Sequence, residues 1–443
     1  MTIGAEVIDA LYARSGEVSP QPRLHATRRA MELIGDPQQM YGIVHLTGTN
    51  GKTSTARMID SLLRAHGLRV GLMTSPHIRV LNERIVVDGE PVTDEVLAEN
   101  FEDVSPFLAM VDAELVANGE APLTFFEALT VLTFAVFADA PVDVAVIEVG
   151  MGGEWDSTNV AHADVAVITP IDLDHVEILG PTIRDIARTK SGIIKPATRV
   201  VSASQREDAM EEILVACDKN EAPLAVLGRD FEVSQIHPGV GGQLVGIRGV
   251  VGVYADIVLP LWGDHQAENA ALALAAVEQF LGGGERPLAS EVVEEAFSLA
   301  SSPGRLQVLA HHPTILVDGA HNPHGAAALS RSLTQFFAFD PLIAVLGVLQ
   351  EKDVTGIVEH LDAVVDRFVI TQSRSDRAFA PEDLAEVVSR IAGPERIILA
   401  PDVDAAIGAA AQLAGRDGGV IVTGSITLVA EATDVVAGRM DNT

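Results

Sequence analysis

The chain has 443 residues, enough for two or three domains with separate cores, and 48% of them are apolar. It carries 62 acidic against 30 basic side chains, a formal charge of −32, which excludes a nucleic-acid backbone or an anionic membrane surface as a partner. Its single cysteine, Cys217, excludes intramolecular disulfides and points to a reducing cytoplasm.

The N-terminal stretch MTIGAEVIDALYARSG has no basic segment followed by an apolar core, so no secretory signal is expected. IVHLTG (43–48) reads as a strand, TGTNGKTS (47–54) as a glycine turn, and TSTARMIDSLLRA as a helix. The turn ends like a phosphate-binding loop, but only Thr49 and Asn50 separate Gly48 from Gly51, and Leu46 stands where the usual spacing puts the first glycine. Phosphate binding needs backbone N–H groups in a glycine-permitted nest, a helix N-terminus and a lysine, and all three are expected here.

RVGLMTS (69–75) is a second strand, followed by a hairpin around RIVVDGEPV and a long helix near 94–118. The apolar run LTFFEALTVLTFAVFADA (123–140) contains Glu127 and leads into a strand, so a buried helix is expected rather than a membrane span. DVAVIEVG (143–150) and DVAVITPI (164–171) are nearly all apolar, as strands covered on both faces must be. Helices are expected near 181–194 and 206–220, with Cys217 as a small filler, and β character over 229–260. After SSPGR, a second alternating series begins with TILVDG and ends with GVIVTGS. This gives a second α/β domain.

Ligands of doubly wound sheets bind beyond the carboxyl ends of strands. Four such ends carry Gly48 to Thr53, Ser75, Glu148, and the group Asp172, Asp174 and His175. Thr53, Ser75 and Glu148 offer the oxygen ligands of a Mg²⁺ ion, and His175 suits a second ion. Taken singly, Ser75 is equally a helix cap, Asp172 and Asp174 are turn residues, and a lone histidine is commonly structural. GMGG (150–153) lacks dinucleotide-fingerprint spacing. Only five lysines occur, Lys52 and Lys190 among them, and an acidic chain that holds an anionic nucleotide must concentrate such cations locally.

TGTNGKTS, SPHI, LTFFEA, EVGMGGEWDSTN, DLDH, TKSGIIKP, HQAENA, SPGRLQ, DGAHNP and TGSITLV occur in that order. Together they resemble the folylpolyglutamate synthase and dihydrofolate synthase family of the Mur ligase superfamily, whose phosphate loop habitually has this shortened form. The resemblance implies a Mur-ligase-like α/β fold. A P-loop ATPase domain with a mostly parallel sheet would span residues 1–302, and a smaller Rossmann-like glutamate-ligase domain residues 303–443. The activity implied is ATP-dependent addition of L-glutamate to dihydropteroate or reduced folates through an acyl phosphate.

By the same resemblance, Thr49, Asn50, Gly51, Lys52, Thr53 and Ser54 would hold ATP phosphates, and Asn269 would contact adenine. Arg305 and Asp318 would complete the nucleotide contacts, while Ser75 and Glu148 would bind one Mg²⁺ and His175 another. Lys190 matches a lysine that the family carbamylates, which would turn a cation into an anion beside the metals. Leu123, Thr124, Phe125, Phe126, Trp155, Asp156 and Ser157 match pterin-site segments, and His321 and Ser425 the glutamate side. Lys52, Lys190, Arg305 and His321 form the catalytic set. The chain departs from the family pattern at Glu154, where arginine is usual, inverting a charge beside the pterin segment.

The expected partners are small molecules only, with the protein a monomer. Phe125, Phe126 and Trp155 read equally as core aromatics, and Asn269 as a helix-surface residue. A different Mur-type ligase, acting for example on a cell-wall precursor, and a non-catalytic ATP switch are the alternative functions.

Overall fold

Past Gly42, every side chain of the first strand is buried, and a strand covered on both faces is forced toward an unbroken apolar run. The structure is a computed structural model and describes residues 3–15 and 21–440. Met1, Thr2 and Gly16 of the N-terminal stretch lie outside the described residues. That first strand is β1 (Gly42–Thr47), followed by β2 (Val70–Met73), β3 (Ile85–Val87), β4 (Glu90–Pro91), β5 (Val144–Glu148), β6 (Val165–Ile168), β7 (Arg199–Ser202) and β8 (Leu224–Val226).

These eight strands form one sheet in the order β4-β3-β2-β5-β1-β6-β7-β8. The pairs from β2 to β8 are parallel, while β3 and β4 form the expected antiparallel hairpin. Leu46 on β1 lies opposite Glu148 on β5 and Val167 on β6, so the three strands end together. The chain leaves β1 for β2 on one side and later passes from β5 to β6 on the other. That reversal opens a crevice at their carboxyl ends.

The apolar run at 123–140 forms the helix Phe125–Asp139, with Phe134 and Phe137 fully buried. No helix among the described residues is long and apolar enough to cross a membrane. Glu127 has a local reason to sit there. Its carboxylate accepts the Thr124 N–H at 2.7 Å while the Thr124 hydroxyl accepts the Glu127 N–H at 3.2 Å, a reciprocal helix cap. Arg23 completes the neutralisation, donating from Nε at 2.9 Å and Nη2 at 3.1 Å.

The 229–260 stretch forms a separate three-stranded sheet from β9 (Glu232–Gly239), β10 (Gly242–Arg248) and β11 (Val253–Leu259). The C-terminal part builds a six-stranded sheet from β12 (Gln307–Ala310), β13 (Thr314–Asp318), β14 (Leu342–Leu346), β15 (Arg367–Ile370), β16 (Ile397–Leu399) and β17 (Gly419–Thr423). Its order is β12-β13-β17-β14-β15-β16, parallel except for β12 against β13. Both faces are covered: Leu316, Ala344, Phe368 and Ile421 pack into one core and Val317, Val345, Val369 and Val422 into the other. By compactness the chain divides into two units. The first gathers the described residues up to His237 with Leu244–Leu259 and Ala267–Ala300, and the second Pro238–Gln243, Pro260–Gln266 and those from Ser301 onward.

Within the first unit, Glu278 ties the part of helix Asp264–Gly282 that carries Asn269 to the loop before β11. Its carboxylate is fully buried and accepts the N–H groups of Val250, Val251 and Gly252 and the Tyr254 hydroxyl. Replacing Glu278 with Ala leaves four donors without an acceptor, so Glu278→Ala is expected to lower stability by about 2–4 kcal/mol in denaturant titration.

Candidate active site

The phosphate-loop segment leaves β1 and is tied to the end of β6. Thr49 and Asn50 donate backbone N–H groups to the Pro170 carbonyl at 2.9 and 3.3 Å. The Thr49 hydroxyl donates to the Asp172 carbonyl at 2.9 Å and accepts the Asp172 N–H at 3.0 Å. Gly51 then turns with φ of +87°, and a Cβ there would lie 2.5 Å from the Asn269 side chain. Helix Lys52–Ala65 follows at once, so the first-turn amides of Lys52, Thr53 and Ser54 face the crevice as a helix N-terminus must. Asn269 is buried against this loop rather than lying on a helix surface.

Two lysines converge on one carbonyl. Lys52 Nζ donates to Gly48 O at 3.1 Å and Thr49 O at 3.3 Å, and Lys190 Nζ donates to Gly48 O at 2.7 Å. Lys190 is 4% exposed near the end of helix Ile183–Ser191. Burial, reinforced by the Lys52 charge and opposed by Asp174 and Asp156, brings its pKa down to about 7.

Across the crevice Glu148, 1% exposed, closes β5. The Thr53 hydroxyl lies 2.9 Å from both carboxylate oxygens, and the Ser75 N–H donates to one of them at 3.2 Å. His175 has the left-handed φ of +50°, takes its N–H to the Asp174 carboxylate at 2.9 Å, and precedes the short helix Val176–Leu179. These groups therefore occupy the four strand ends expected from the sequence.

A second group of residues in this unit surrounds Phe125, which is buried under a stacked Tyr12 ring 5.1 Å away and the Arg84 guanidinium 5.3 Å from its centroid. Arg84 Nε donates to His77 Nδ1 at 2.8 Å. Sequence gave no pointer to Tyr12 or Arg84, because a ring stack between residues far apart in the chain has no local pattern. Leu123 is buried, and its carbonyl accepts from Arg14 Nη1 at 3.0 Å, while Arg23 reaches the Ala121 and Pro122 carbonyls at 2.8 and 3.0 Å.

Phe126 lies against Gly150, whose added Cβ would meet its ring at 2.6 Å. Trp155 is half-buried, and Asp156 and Ser157 are buried. Asp156 accepts the Met151 N–H at 2.9 Å and the Thr158 N–H at 3.0 Å, and burial raises its pKa against those hydrogen bonds. Gly153 is required by close approach: a Cβ there would lie 2.6 Å from the Lys190 carbonyl oxygen. The Glu154 N–H bonds to the Thr189 carbonyl at 2.8 Å while its side chain is exposed.

In the second unit, Asp318 ends β13 and accepts the Leu306 and Ala320 N–H groups, each at 2.8 Å. Burial raises its pKa, and the Arg305 charge opposes that rise. His321 Nδ1 lies 2.8 Å from Gly319 O, which places a proton on that nitrogen. Ser425 follows β17 and its hydroxyl accepts the Leu428 N–H at 3.1 Å. Asp318 and Thr423 are register partners on neighbouring parallel strands, so Asp318, His321 and Ser425 share the ligand-binding edge of the second sheet.

The Mur ligase middle domain matches residues 46–277, and the Mur ligase glutamate ligase domain matches residues 304–426. The dihydrofolate synthase/folylpolyglutamate synthase of Mycobacterium tuberculosis is 42% identical, the match covering 98% of this chain and 94% of that protein. The structure of the Mycobacterium tuberculosis folylpolyglutamate synthase complexed with ADP superposes with a TM-score of 0.93 at 40% identity, covering 98% of each chain. Escherichia coli FolC in complex with DHPP and ADP gives 0.84 at 27% identity, covering 99% of this chain and 98% of that one. With two ligase domains matched in order and similarity running end to end, the chain belongs to the dihydrofolate synthase/folylpolyglutamate synthase family of ATP-dependent Mur-type ligases.

Proposed function

We propose that the protein uses ATP to join L-glutamate to dihydropteroate and to reduced folates, with residues 1–302 activating the acid and 303–443 serving the glutamate. The observation that carries this is the convergence of Lys52, Lys190, Thr53 and Glu148 around a glycine-turned helix N-terminus. A carboxylate resists amine attack because its carbon is a poor electrophile and its oxygen a poor leaving group. In the proposed reaction a carboxylate oxygen of the acid attacks the γ-phosphorus, the bond to the bridging oxygen breaks, and ADP leaves. The neutral glutamate amine then attacks the acyl carbon, the bond to phosphate breaks, and the amine proton is lost.

Lys52 and the amides of residues 51–54 hold the phosphates, the Thr49 and Asn50 N–H groups being committed to the Pro170 carbonyl, and positive charge placed beforehand lowers the barrier most. Asn269 takes the adenine, and Arg305 and Asp318 complete the nucleotide contacts. Leu123 to Phe126 and Trp155 to Ser157 hold the acid, with His321 and Ser425 orienting glutamate. The buried Glu148 carboxylate, the Thr53 hydroxyl and Ser75 are hard oxygen donors that fit Mg²⁺, which takes most of its ligands from phosphate and water. Mg²⁺ bound there, with a second ion at His175, would neutralise developing phosphate charge. The protein acts as a cytoplasmic monomer on small molecules.

Lys190 is suited to carbamate formation because burial leaves much of its amine neutral near pH 7. The amine nitrogen adds to CO2 and releases a proton, producing an anion within reach of Lys52. The folded pKa lies below the ordinary 10.5, so the neutral form is lost as pH falls through about 7. Carbamate occupancy, read by carbon NMR with labelled CO2, is expected to fall over the same range, and Lys190→Ala is expected to show no carbamate signal and at least about 100-fold lower ligation.

The overall reaction has a direct test. ADP release is expected only when glutamate and dihydropteroate or a reduced folate are both present, with the matching amide product seen by mass spectrometry. ATP turnover at full rate without either would overturn the ligase proposal. Gly51→Ala, which forces a side chain into a left-handed turn and against Asn269, is expected to weaken ADP binding at least about tenfold by calorimetry.

A further inference from the structure

The central strand β1 carries two buried polar side chains on one face, His45 and Thr47. Both reach the loop after β5. The Thr47 hydroxyl donates to the Gly152 carbonyl at 2.7 Å, and His45 Nε2 lies 2.9 Å from the Thr158 hydroxyl. That hydroxyl lies 2.5 Å from an Asp156 oxygen. His45, Thr158 and Asp156 thus form one chain, with His45 and Thr158 wholly buried.

The proton arrangement follows from donor counting. Thr158 has one hydroxyl proton, and it goes to Asp156, whose two oxygens already act as acceptors for backbone N–H groups. His45 must therefore donate from Nε2, which leaves Nδ1 as the unprotonated nitrogen. His45 Nδ1 has no hydrogen-bond partner among the described residues. A second proton on the ring would be buried with no acceptor, so the ring stays neutral and its single N–H stays committed to Thr158. A histidine retained in an apolar strand with one nitrogen unsatisfied carries a burial penalty that a leucine would not.

We infer that His45 is a positioning residue for the acid substrate: acting through Thr158, it fixes Asp156 and hence the 150–160 loop on which Trp155, Asp156 and Ser157 are presented. The link to substrate rests on the assignment of residues 155–157 to the acid, proposed above. The anchoring itself does not depend on that assignment. Asp156 in turn holds the Met151 and Thr158 N–H groups, so losing the His45 donor loosens both ends of the loop.

The test compares His45→Leu with His45→Gln, whose amide nitrogen can take the place of Nε2. For His45→Leu, amide exchange at Met151 and Thr158 is expected to rise about tenfold, the size of one lost hydrogen bond. The dihydropteroate KM is expected to rise by a similar factor while the ATP KM moves less than about twofold. His45→Gln is expected to restore both. Unchanged exchange at Met151 and Thr158 in His45→Leu, or His45→Gln as damaged as His45→Leu, would overturn the inference. So would a uniform rise in exchange across the first unit with both KM values raised together, since that reports general loosening. Raised loop exchange with an unmoved dihydropteroate KM would uphold the anchor and remove the acid assignment of residues 155–157.

Discussion

Two ammonium groups directed at one carbonyl oxygen set the electrostatic terms of this molecule. Gly48 accepts from both Lys52 and Lys190 in a chain whose formal charge is −32. Without that local concentration the crevice would repel a triphosphate as the rest of the surface does. Burial then separates the fates of the two lysines. Lys190 lies deep enough for its charge to be marginal, and the carbamylation proposed above would reverse its sign. The glycine turn, the tie to Pro170 and the close approach of Gly153 to the Lys190 backbone all hold this pair in place.

The same economy of polar groups appears at Glu127 and Glu148. Each is a carboxylate buried in an apolar setting, and each is held by donors from its own neighbourhood. The Glu127 group is neutralised by an arginine and serves the helix terminus. Glu148 accepts from the Thr53 hydroxyl and the Ser75 N–H, and its charge acts on the Arg57 guanidinium.

Much of this was legible in the sequence because covered parallel strands leave an apolar record and glycine turns leave punctuation. The runs at 43–47, 143–148 and 164–168 placed the strand ends, and strand ends in a doubly wound sheet are where ligands bind. β7 and β8 escaped notice because three or four apolar residues are too few to establish a period. The Tyr12, Arg84 and Phe125 cluster and the His45 chain escaped for a different reason: their partners are distant along the chain, and only the folded register joins them. Asn269 gave an ambiguous signal, since helical periodicity alone does not tell which neighbour covers a polar side chain.

Arg14 and Arg23 grip the carbonyls of Ala121, Pro122 and Leu123 from a segment that precedes β1. Main-chain oxygens held this way cannot be replaced by a change of side chain elsewhere. Shortening the gene from its 5′ end, a routine step in building fusions or trimmed versions for crystallisation, would therefore strip fastenings from a turn more than 100 positions downstream of Arg14. A tag attached at the other terminus leaves those fastenings untouched.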